Sequence, residues 1–365
     1  MKVLVISNMY PSADQPAFGV FVARIAEQLA ENGASVDRVV RFDRGNKVIG
    51  YLSFYLKSFF AVLFSRHDLV YLHFPSHSYL GAALALLVRD LPLVTHVHGA
   101  DVVPDKAGRA REKLIRWVTG HCLRRSTMVI APSRYFAALV ASIFPDVREK
   151  LQVSPSGGVD VRRLRYQVPT TGARLRFLFL GRLINGKGVH LMIEAAELLE
   201  RDDPGLEFEL VFAGDGPERS NLERGAGGLT QASAQFLGGI DPHAVAATIA
   251  ACDVLVFPSH RKGESLGLVA LEAMSCGRPV IAARNGAMED IIEDGEQGWL
   301  FAAGDAQQLA AAMRLALLAD QGQMRRMSLA ARARAELYSG DTVGRALTML
   351  LQNVIGGRRA DAAVD

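Results

Sequence analysis

The sequence predicts an α/β protein made of parallel sheets and divided into two domains. Short apolar runs alternate along the chain with helical patterns, which is the signature of βαβ units. At 365 residues the chain is too long for most single cores. The alternation restarts after a basic, turn-prone stretch at 161–172, where Pro169 and Gly172 help to mark the linker.

The bulk composition is that of an ordinary soluble globular protein, with 50% hydrophobic and 22% charged residues. Cys122, Cys252 and Cys276 are far apart and form no C-x-x-C pair. Neither a disulfide framework nor a zinc site is therefore supported, and a reducing cytoplasm fits best. The apolar run after Met1 is too short for a signal peptide and is interpreted as a buried first strand.

The two halves of the chain differ in charge. Residues 1–165 hold 22 Lys and Arg against 13 Asp and Glu, whereas residues 166–365 hold 19 against 25. The net charge of +3 hides this asymmetry, which suggests that the first half meets an anionic surface. The charge alone is compatible with nucleic acid, anionic lipid or a phosphorylated substrate as the anionic partner.

The first predicted strand, Lys2–Ser7, leads through a proline-containing loop to a helix that Gly19 opens. A glycine at a helix start after a strand is how such folds hold anionic ligands. The alternative is that Gly19 is needed only for close packing. This turn has no G-x-G-x-x-G pattern, so a nicotinamide cofactor receives little support.

The most apolar segment, residues 49–65, is too short and too interrupted by Lys57 to span a bilayer. We interpret it as a packed helix before a strand at 68–73, with a membrane-surface helix as the alternative. The next strand, at 92–97, runs into H-G-A-D. His98 follows this strand, where α/β sheets bind ligands, and is a candidate site residue; His96, inside the strand, is a weaker one.

A basic helix comes next. Arg109, Lys113 and Arg116 share one face, and Leu114 and Trp117 supply apolar surface. A solvated face is the ordinary interpretation, and a patch for anionic lipid is the alternative. A nucleic-acid role is weaker, because no aromatic platform or known binding motif accompanies the charges. The basic residues of this segment are Lys106, Arg109, Arg111, Lys113, Arg116, Arg124 and Arg125.

The second half restarts with the strand Leu175–Leu180 and the turn G-R-L-I-N-G-K-G at 181–188. Arg182 and Lys187, held at a strand end beside glycines, predict a clamp for a pyrophosphate; a solvated loop is the alternative. The spacing is not that of a P-loop. The following strand ends in a second tight turn, G-D-G-P, which begins at Gly214.

Residues 263–277, G-E-S-L-G-L-V-A-L-E-A-M-S-C-G, carry two carboxylates in a nearly uncharged run. The apolar spacing predicts a helix closed by Gly277, with Glu264 at its start and Glu272 about two turns in. Backbone N–H groups at the helix start, near Gly267, suit a phosphate, and a carboxylate further along suits ribose hydroxyls. The alternative is that Glu264 only caps the helix and Glu272 is solvated.

These motifs, G-R-L-x-x-x-K-G, G-D-G-P and E-x7-E, resemble the nucleotide-sugar-binding domain of glycosyltransferase family 4, a group 1 family of retaining enzymes. M-Y-P-S, G-V-F-V, H-G-A-D, A-P-S and P-S-G-G-V-D extend the resemblance over the first half. It implies the GT-B architecture, with two facing Rossmann-like domains and a cleft between them. The expected parts are an acceptor-binding domain at 1–165, a donor-binding domain at 173–340, and a C-terminal helix with a tail at 341–365 that crosses back to the first domain.

The resemblance also implies roles for single residues. Arg182 and Lys187 would bind the donor diphosphate, Glu272 its ribose and Glu264 the donor sugar, while His98 would lie by the reacting carbon. Leu266 departs from the E-x-F-G that the family commonly has. The expected catalytic residues are Glu264, His98, Arg182 and Lys187, and the expected donor-binding residues are Gly19, Arg182, Lys187, Gly214, Ser265, Leu266, Gly267, Leu268 and Glu272.

The function implied is retaining transfer of a sugar from a UDP- or GDP-sugar to a lipid-linked saccharide, without a metal, since the sequence has no D-x-D. The pattern resembles bacterial envelope and exopolysaccharide transferases of the teichuronic acid type. This implies a cytoplasmic protein, peripheral on the inner face of the plasma membrane, with no nucleic-acid partner. The alternatives are a nucleotide-sugar epimerase of the same architecture and a non-catalytic module that binds sugar nucleotides or lipid.

Overall fold

The computed structural model of the protein describes residues 1–12, 15, 18–41, 46–104, 108–168 and 174–361. Lys106 and the predicted linker positions 169–172 lie outside the described residues. The chain folds as two compact units: Met1–Gly158 together with the helix that begins at Gly340, and Val159–Ser339. The first unit ends before the expected boundary at 165, because the Val159 N–H already donates to the Tyr338 carbonyl of the second unit.

The first unit is a six-stranded parallel sheet in the order β2-β1-β3-β4-β5-β6. Its four central strands are largely buried, as expected for a parallel sheet covered by helices, whereas the two edge strands are more exposed. The elements are β1 Lys2–Ser7, α1 Val20–Glu31, β2 Ser35–Val40, α2 Lys47–Leu63, β3 Leu69–His73, α3 Pro75–Val88, β4 Leu93–His96, α4 Arg109–Arg125, β5 Met128–Ala131, α5 Arg134–Ile143, a 3-10 helix Pro145–Lys150 and β6 Leu151–Val153.

Two elements of this unit have no clear sequence signal. The strand β2 lies at the edge of the sheet and exposes Asp37 and Arg38, so it lacks a continuous apolar run. The helix α3 contains no charged residue and is apolar nearly all round, so no one-sided pattern marks it.

The second unit is also a six-stranded parallel sheet, in the order β12-β11-β10-β7-β8-β9. Both units therefore confirm the predicted α/β class. The elements are β7 Leu175–Leu180, a 3-10 helix Asn185–Lys187, α6 Leu191–Asp202, β8 Phe208–Ala213, α7 Arg219–Ala226, β9 Ser233–Gly238, α8 Val245–Ala250, β10 Val254–Phe257, α9 Leu268–Ser275, β11 Val280–Arg284, β12 Gly298–Ala302, α10 Ala306–Leu318 and α11 Gln321–Leu337.

The last helix, α12 (Gly340–Asp361), belongs to the core of the first unit. Leu347 and Leu351 are fully buried in the same apolar cluster as Ile25 and Leu29 of α1. A side chain at Gly344 would begin 2.9 Å from the Cβ of Gln28, so the two helices approach closely.

Each sheet has one place where the strand order reverses. It lies between β1 and β3 in the first unit and between β7 and β10 in the second. Open α/β sheets bind ligands at such points, in the crevice beyond the carboxyl ends of the strands. Within the described ranges no helix is both long enough and apolar enough to cross a bilayer.

We expect Leu351→Ala to lower the free energy of unfolding of the first unit by about 2–5 kcal/mol, because it opens a cavity between α12 and α1. Met349→Ala on the same helix is the control, since Met349 is exposed and its loss should cost less than about 0.5 kcal/mol. Urea denaturation followed by circular dichroism measures both. Equal effects would mean that α12 does not complete this core.

Candidate functional site

The two loops that follow β7 and β10 lie next to each other at the strand-order reversal of the second unit. Val254 of β10 pairs with Phe177 of β7, so both strands deliver their loops to the same edge of the sheet. The β7 loop carries Lys187 and the β10 loop carries Glu264. The sheet thus brings together two residues that are 77 positions apart in the sequence.

Lys187 and Glu264 form a direct ion pair. The Nζ of Lys187 lies 2.7 Å from Oε2 of Glu264, and the hydroxyl of Ser259 donates to the same oxygen at 2.8 Å. Only 20% of the lysine side chain and 13% of the glutamate side chain are exposed. Burial alone would raise the pKa of the Glu264 carboxyl, but the charge of Lys187 and the two hydrogen bonds outweigh it, so this pKa is lowered.

The backbone around Lys187 is fixed by close approach to the neighbouring strand. Gly188 has φ +67°, and a Cβ there would lie 2.1 Å from the carbonyl oxygen of Pro258. Only glycine allows this contact. The ammonium of Lys187 also lies 5.5 Å from the centre of the Phe257 ring. The lysine is therefore held at one position rather than extended into solvent.

Arg182 behaves differently from Lys187. It is exposed, and within the described part of the chain its guanidinium makes no hydrogen bond or ion pair. Of the two cations predicted to form the clamp, Lys187 is therefore paired with a carboxylate and Arg182 is exposed to solvent. The roles expected for Arg182 and Lys187 stay predictions.

The helix α9 starts later than the sequence pattern predicts. It begins at Leu268, and Gly267 precedes it with φ +79°, so Glu264 lies in the preceding loop and the prediction that it starts the helix is wrong. The left-handed backbone of Gly267 is a conformation that glycine adopts without strain, so it favours glycine there. Gly277 closes the helix with φ +76°, as predicted.

The remaining residues expected around α9 fall into different environments. Leu266 is buried in the fold, while Ser265, Leu268 and Glu272 are partly exposed. Glu272 comes four residues after the first helical residue, one turn in rather than about two. The first N–H groups of α9 have no partner inside the helix, so its start favours an anion.

Gly214 is required by backbone packing. With φ +143°, a Cβ there would lie 1.9 Å from the carbonyl oxygen of Gly181. This contact places the turn after β8 directly against the turn after β7. On the other side, the side-chain amide of Asn285 donates to the Ser259 carbonyl at 2.8 Å. Four strand ends are thus tied together around the Lys187–Glu264 pair.

His98, in the first unit, belongs to a cluster of three histidines. His73 ends β3 and is in register with His96 of β4, and His98 follows two residues later on the same side. Nδ1 of His73 lies 2.9 Å from Nε2 of His98, and the Tyr71 hydroxyl lies 2.7 Å from Nδ1 of His96. The sequence did not predict His73 or Tyr71 as site residues, because strand register, rather than a local motif, brings them to His98.

The cluster is uncharged at neutral pH. Burial lowers the pKa of His73 to about 3, and burial together with the neighbouring histidines lowers the pKa values of His96 and His98 well below the ordinary value. Asp101 follows in H-G-A-D; burial raises the pKa of its carboxyl to about 6, although it accepts backbone N–H bonds from His98 and Gly99. His98 therefore offers hydrogen bonds rather than a charge.

The arrangement of the three rings does not suit a metal ion, although one nitrogen from each lies within 4.8 Å of the others. The rings of His96 and His98 are 4.3 Å apart at an angle of 24°, and those of His73 and His98 are inclined by only 12°. Since the lone pairs of imidazole lie in the ring plane, nearly parallel rings do not direct them at one ion.

Gly19 lies beside the histidine cluster. It precedes α1 with φ +73°, and a Cβ there would lie 2.7 Å from the backbone carbon of Met9, which supports the close-packing interpretation. The ring centre of Phe21, in the first turn of α1, lies 4.8 Å from that of His98. The ring centre of Phe74, the residue that follows β3, lies 4.7 Å from that of His98. The helix opened by Gly19 thus forms one wall around His98.

Two family models match the chain: "Glycosyl transferases group 1" over residues 161–334 and "Glycosyltransferase Family 4" over residues 18–163. The D-inositol 3-phosphate glycosyltransferase of Nocardia farcinica is 30% identical over 75% of this chain and 63% of its own length. The glycogen synthase of Mycobacterium tuberculosis is 30% identical over 74% of this chain and 64% of its own length. The chain therefore spans just under two thirds of these relatives.

Solved structures share the fold over nearly the whole chain. Anabaena Alr3699/HepE in complex with UDP-glucose has a TM-score of 0.73, with 20% identity over 97% of this chain and all of that one. Sucrose-phosphate synthase from Thermosynechococcus elongatus has a TM-score of 0.75, with 21% identity over 98% of this chain and all of that one. At this identity the likeness establishes the fold.

We expect Lys187→Met to cost about 3 kcal/mol of unfolding free energy at neutral pH, because it leaves the Glu264 carboxylate buried without its cation. In the wild type the lowered pKa of Glu264 gives stability that is present above the ordinary value of 4.5 and is lost on acidification. In the variant, burial should raise that pKa, so the deficit should shrink as the pH falls from about 7 to about 4.

Arg174→Met is the matched control, because the Arg174–Glu207 pair is about half exposed and should be worth less than about 1 kcal/mol. Denaturation of both variants across this pH range tests the expectation. A Lys187→Met deficit that does not change with pH would show that the pair is not coupled by charge.

Proposed function

Because the chain belongs to the glycosyltransferases of group 1 and family 4, we propose that it transfers a sugar from a nucleotide-sugar donor to a saccharide acceptor with retention of anomeric configuration. The observation that carries the proposal is the Lys187–Glu264 pair at the strand-order reversal of the second unit. A fixed cation beside a carboxylate suits a ligand that joins a diphosphate to a sugar.

We assign the two charges of the pair to different parts of the donor. The ammonium of Lys187 would contact the diphosphate, as lysine provides a point charge for phosphate. The carboxylate of Glu264 would accept hydrogen bonds from sugar hydroxyls. A nucleotide-sugar would then contact both charges of the ion pair, whereas a nucleoside diphosphate would contact only Lys187. The site would therefore bind the nucleotide-sugar in preference to the nucleoside diphosphate.

The positive charge that stabilises the leaving diphosphate would come from the protein itself. Lys187, the exposed Arg182 and the first N–H groups of α9 supply it, and electrostatic stabilisation of this kind is usually the largest contribution to catalysis. We therefore propose metal-independent transfer. Glu272, one turn into α9, would hold the ribose. The neutral His98 would contribute hydrogen bonds in the first unit.

The donor we propose is a UDP-sugar, with a GDP-sugar as the alternative. The solved structure of Alr3699/HepE with UDP-glucose, which shares this fold, supports uridine. For the acceptor we propose a lipid-linked saccharide, used by an enzyme that is peripheral on the inner face of a bacterial membrane. The basic character of residues 1–165 supports an anionic surface for the first unit.

We expect one nucleotide-sugar to stabilise the second unit by about 2.7 kcal/mol at 100 times its dissociation constant, with or without EDTA. Thermal unfolding with UDP-, GDP-, ADP- and dTDP-sugars measures this shift and identifies the base. Lys187→Ala should abolish it, whereas Arg325→Ala, at an exposed position on α11, should not. The absence of any shift would contradict a donor site, and proton NMR of the product would test retention.

We expect Glu264→Gln to strengthen the binding of free UDP at least about fivefold, because the variant frees Lys187 from a carboxylate whose attraction is worth about 1 kcal/mol in water and more where the pair is largely buried. The preference for the UDP-sugar over UDP should fall in the same variant, since the amide replaces the acceptor of the sugar hydroxyls. Titration calorimetry with both ligands measures the ratio. If the ratio of the affinities for the UDP-sugar and UDP did not change, Glu264 would only position Lys187 and would not contact the sugar.

A further inference from the structure

Three helices of the first unit present an exposed surface that is unusually apolar. On α2 the side chains of Ile49, Leu52, Leu56 and Phe60, and of Phe64 just after the helix, are each at least half exposed. They recur at nearly every fourth residue, so they form one stripe. The opposite side of α2 is apolar too, and it packs into the core. A helix that is apolar on both sides meets a second apolar environment.

The stripe continues onto α3. Leu84, Leu87 and Val88 are each more than 60% exposed. The two helices lie close together, since a Cβ at Gly81 of α3 would lie 2.8 Å from Cα of Tyr55 on α2. Neither helix contains an acidic residue. Contiguous patches of this kind are rare on monomeric proteins and mark interaction sites.

The helix α4 completes this surface, which we call the apolar face of α2, α3 and α4. Arg125 of α4 donates to the carbonyl oxygen of Leu86 on α3 at 3.1 Å, which joins the two helices. Leu114 and Trp117 are each more than half exposed. The ring of Trp117 lies 6.0 Å from that of His121, which in turn lies 5.7 Å from that of Tyr79 on α3.

Positive charge borders the apolar face. Arg109, Arg111, Lys113 and Arg116 of α4 are all exposed, and Lys57 lies within the α2 stripe. The only acidic residue in the three helices is the partly buried Glu112. Each cation near an anionic lipid surface contributes about 1 kcal/mol to binding. Apolar side chains with adjacent cations are the composition of a helix that lies in a membrane interface.

We infer that the apolar face of α2, α3 and α4 docks on the surface of an anionic lipid bilayer. Its leucine and phenylalanine side chains enter the interface, and the α4 cations meet the lipid headgroups. A second copy of the chain fits this face less well, because a two-fold contact would bring the same cations of both copies together. A 17-residue helix such as α2 extends for about 25 Å and lies along the bilayer plane.

The docked face would place the histidine cluster close to the lipid. The helix α3 begins at Pro75, two residues after His73, and Leu84 lies less than three turns further along it. A saccharide attached to a membrane lipid would reach this edge of the sheet while its lipid chains stay in the bilayer. This last step rests on the proposed transferase function; the docking itself does not.

Sedimentation with lipid vesicles tests the inference on the full-length chain. The protein should bind vesicles of phosphatidylglycerol and phosphatidylethanolamine, bind phosphatidylcholine vesicles weakly, and lose affinity as salt is added. Leu84→Ser with Leu87→Ser should weaken binding at least about tenfold. The control is Leu315→Ser with Leu318→Ser, two leucines of similar exposure on α10, which should leave binding unchanged.

A second pair of variants tests the charges. Lys113→Gln with Arg116→Gln should weaken binding to the anionic vesicles about fivefold for each cation removed. Arg325→Gln with Arg326→Gln, at exposed positions on α11, is the control and should have no effect. If the α4 and α11 double variants lost equal affinity for the vesicles, the effect would come from net charge alone. That result would overturn docking through the apolar face of α2, α3 and α4.

Tryptophan fluorescence reports on the orientation. The chain has two tryptophans, and Trp299 is 5% exposed in the second unit, so a blue shift on adding vesicles reports Trp117. Brominated lipids should quench this emission in the wild type, and Trp117→Phe should remove the response. Vesicle binding without any change at Trp117 would show that another surface docks.

Two further results would overturn the inference. One is the absence of binding to every vesicle. The other is a dimer in light scattering that Leu84→Ser with Leu87→Ser converts to a monomer without vesicle binding, which would assign the face to a second copy. Donor-induced thermal stabilisation, measured on the same samples, reports on the second unit, so a failure of docking and a failure of the donor site are distinguishable.

Discussion

The ion pair of Lys187 and Glu264 is the constraint on which the second unit's site depends. Two largely buried charges are tolerated only when they are paired and hydrogen-bonded, so each residue requires the other to be in place. The strand order brings the two loops together, and Gly188 and Gly267 allow the backbone to follow the path that the pair needs. Ser259 satisfies the same carboxylate oxygen. A largely buried ion pair adds little net stability compared with apolar residues of similar size, and its presence beside strand ends is typical of a functional site.

In the first unit burial keeps the candidate site residues uncharged, whereas in the second unit ion pairing keeps two buried residues charged. Desolvation lowers the pKa values of the first unit's three histidines and keeps their rings neutral. The two sites therefore offer different chemistry: fixed charges in the second unit, and uncharged hydrogen-bonding groups in the first. This division is what the proposed transfer would require, with the leaving diphosphate stabilised by charges in the second unit and hydroxyl groups bound by neutral side chains in the first.

Local patterns in the sequence predicted the α/β class, the glycine-rich turns after β7 and β8, and the end of α9 at Gly277, because each depends on residues close together in the chain. The start of α9 was placed wrongly, because the apolar spacing continues through Leu266 although the backbone becomes helical only after the left-handed Gly267. The hydrogen bond of Ser259 and the place of His73 were not predicted, because their partners are set by loop conformation and strand register. The edge strand β2 and the evenly apolar α3 lacked the one-sided pattern from which such elements are recognised.

The position of α12 has a consequence for the order in which the chain is made. The core around α1 contains Leu347 and Leu351, which are synthesised after the whole second unit. During translation the second unit can close first, whereas the amino-terminal part waits with the apolar side of α1 uncovered. Incomplete intermediates of this kind are prone to aggregate. The first unit therefore finishes folding after the second unit, although most of it is synthesised earlier, and it depends on α12 to do so.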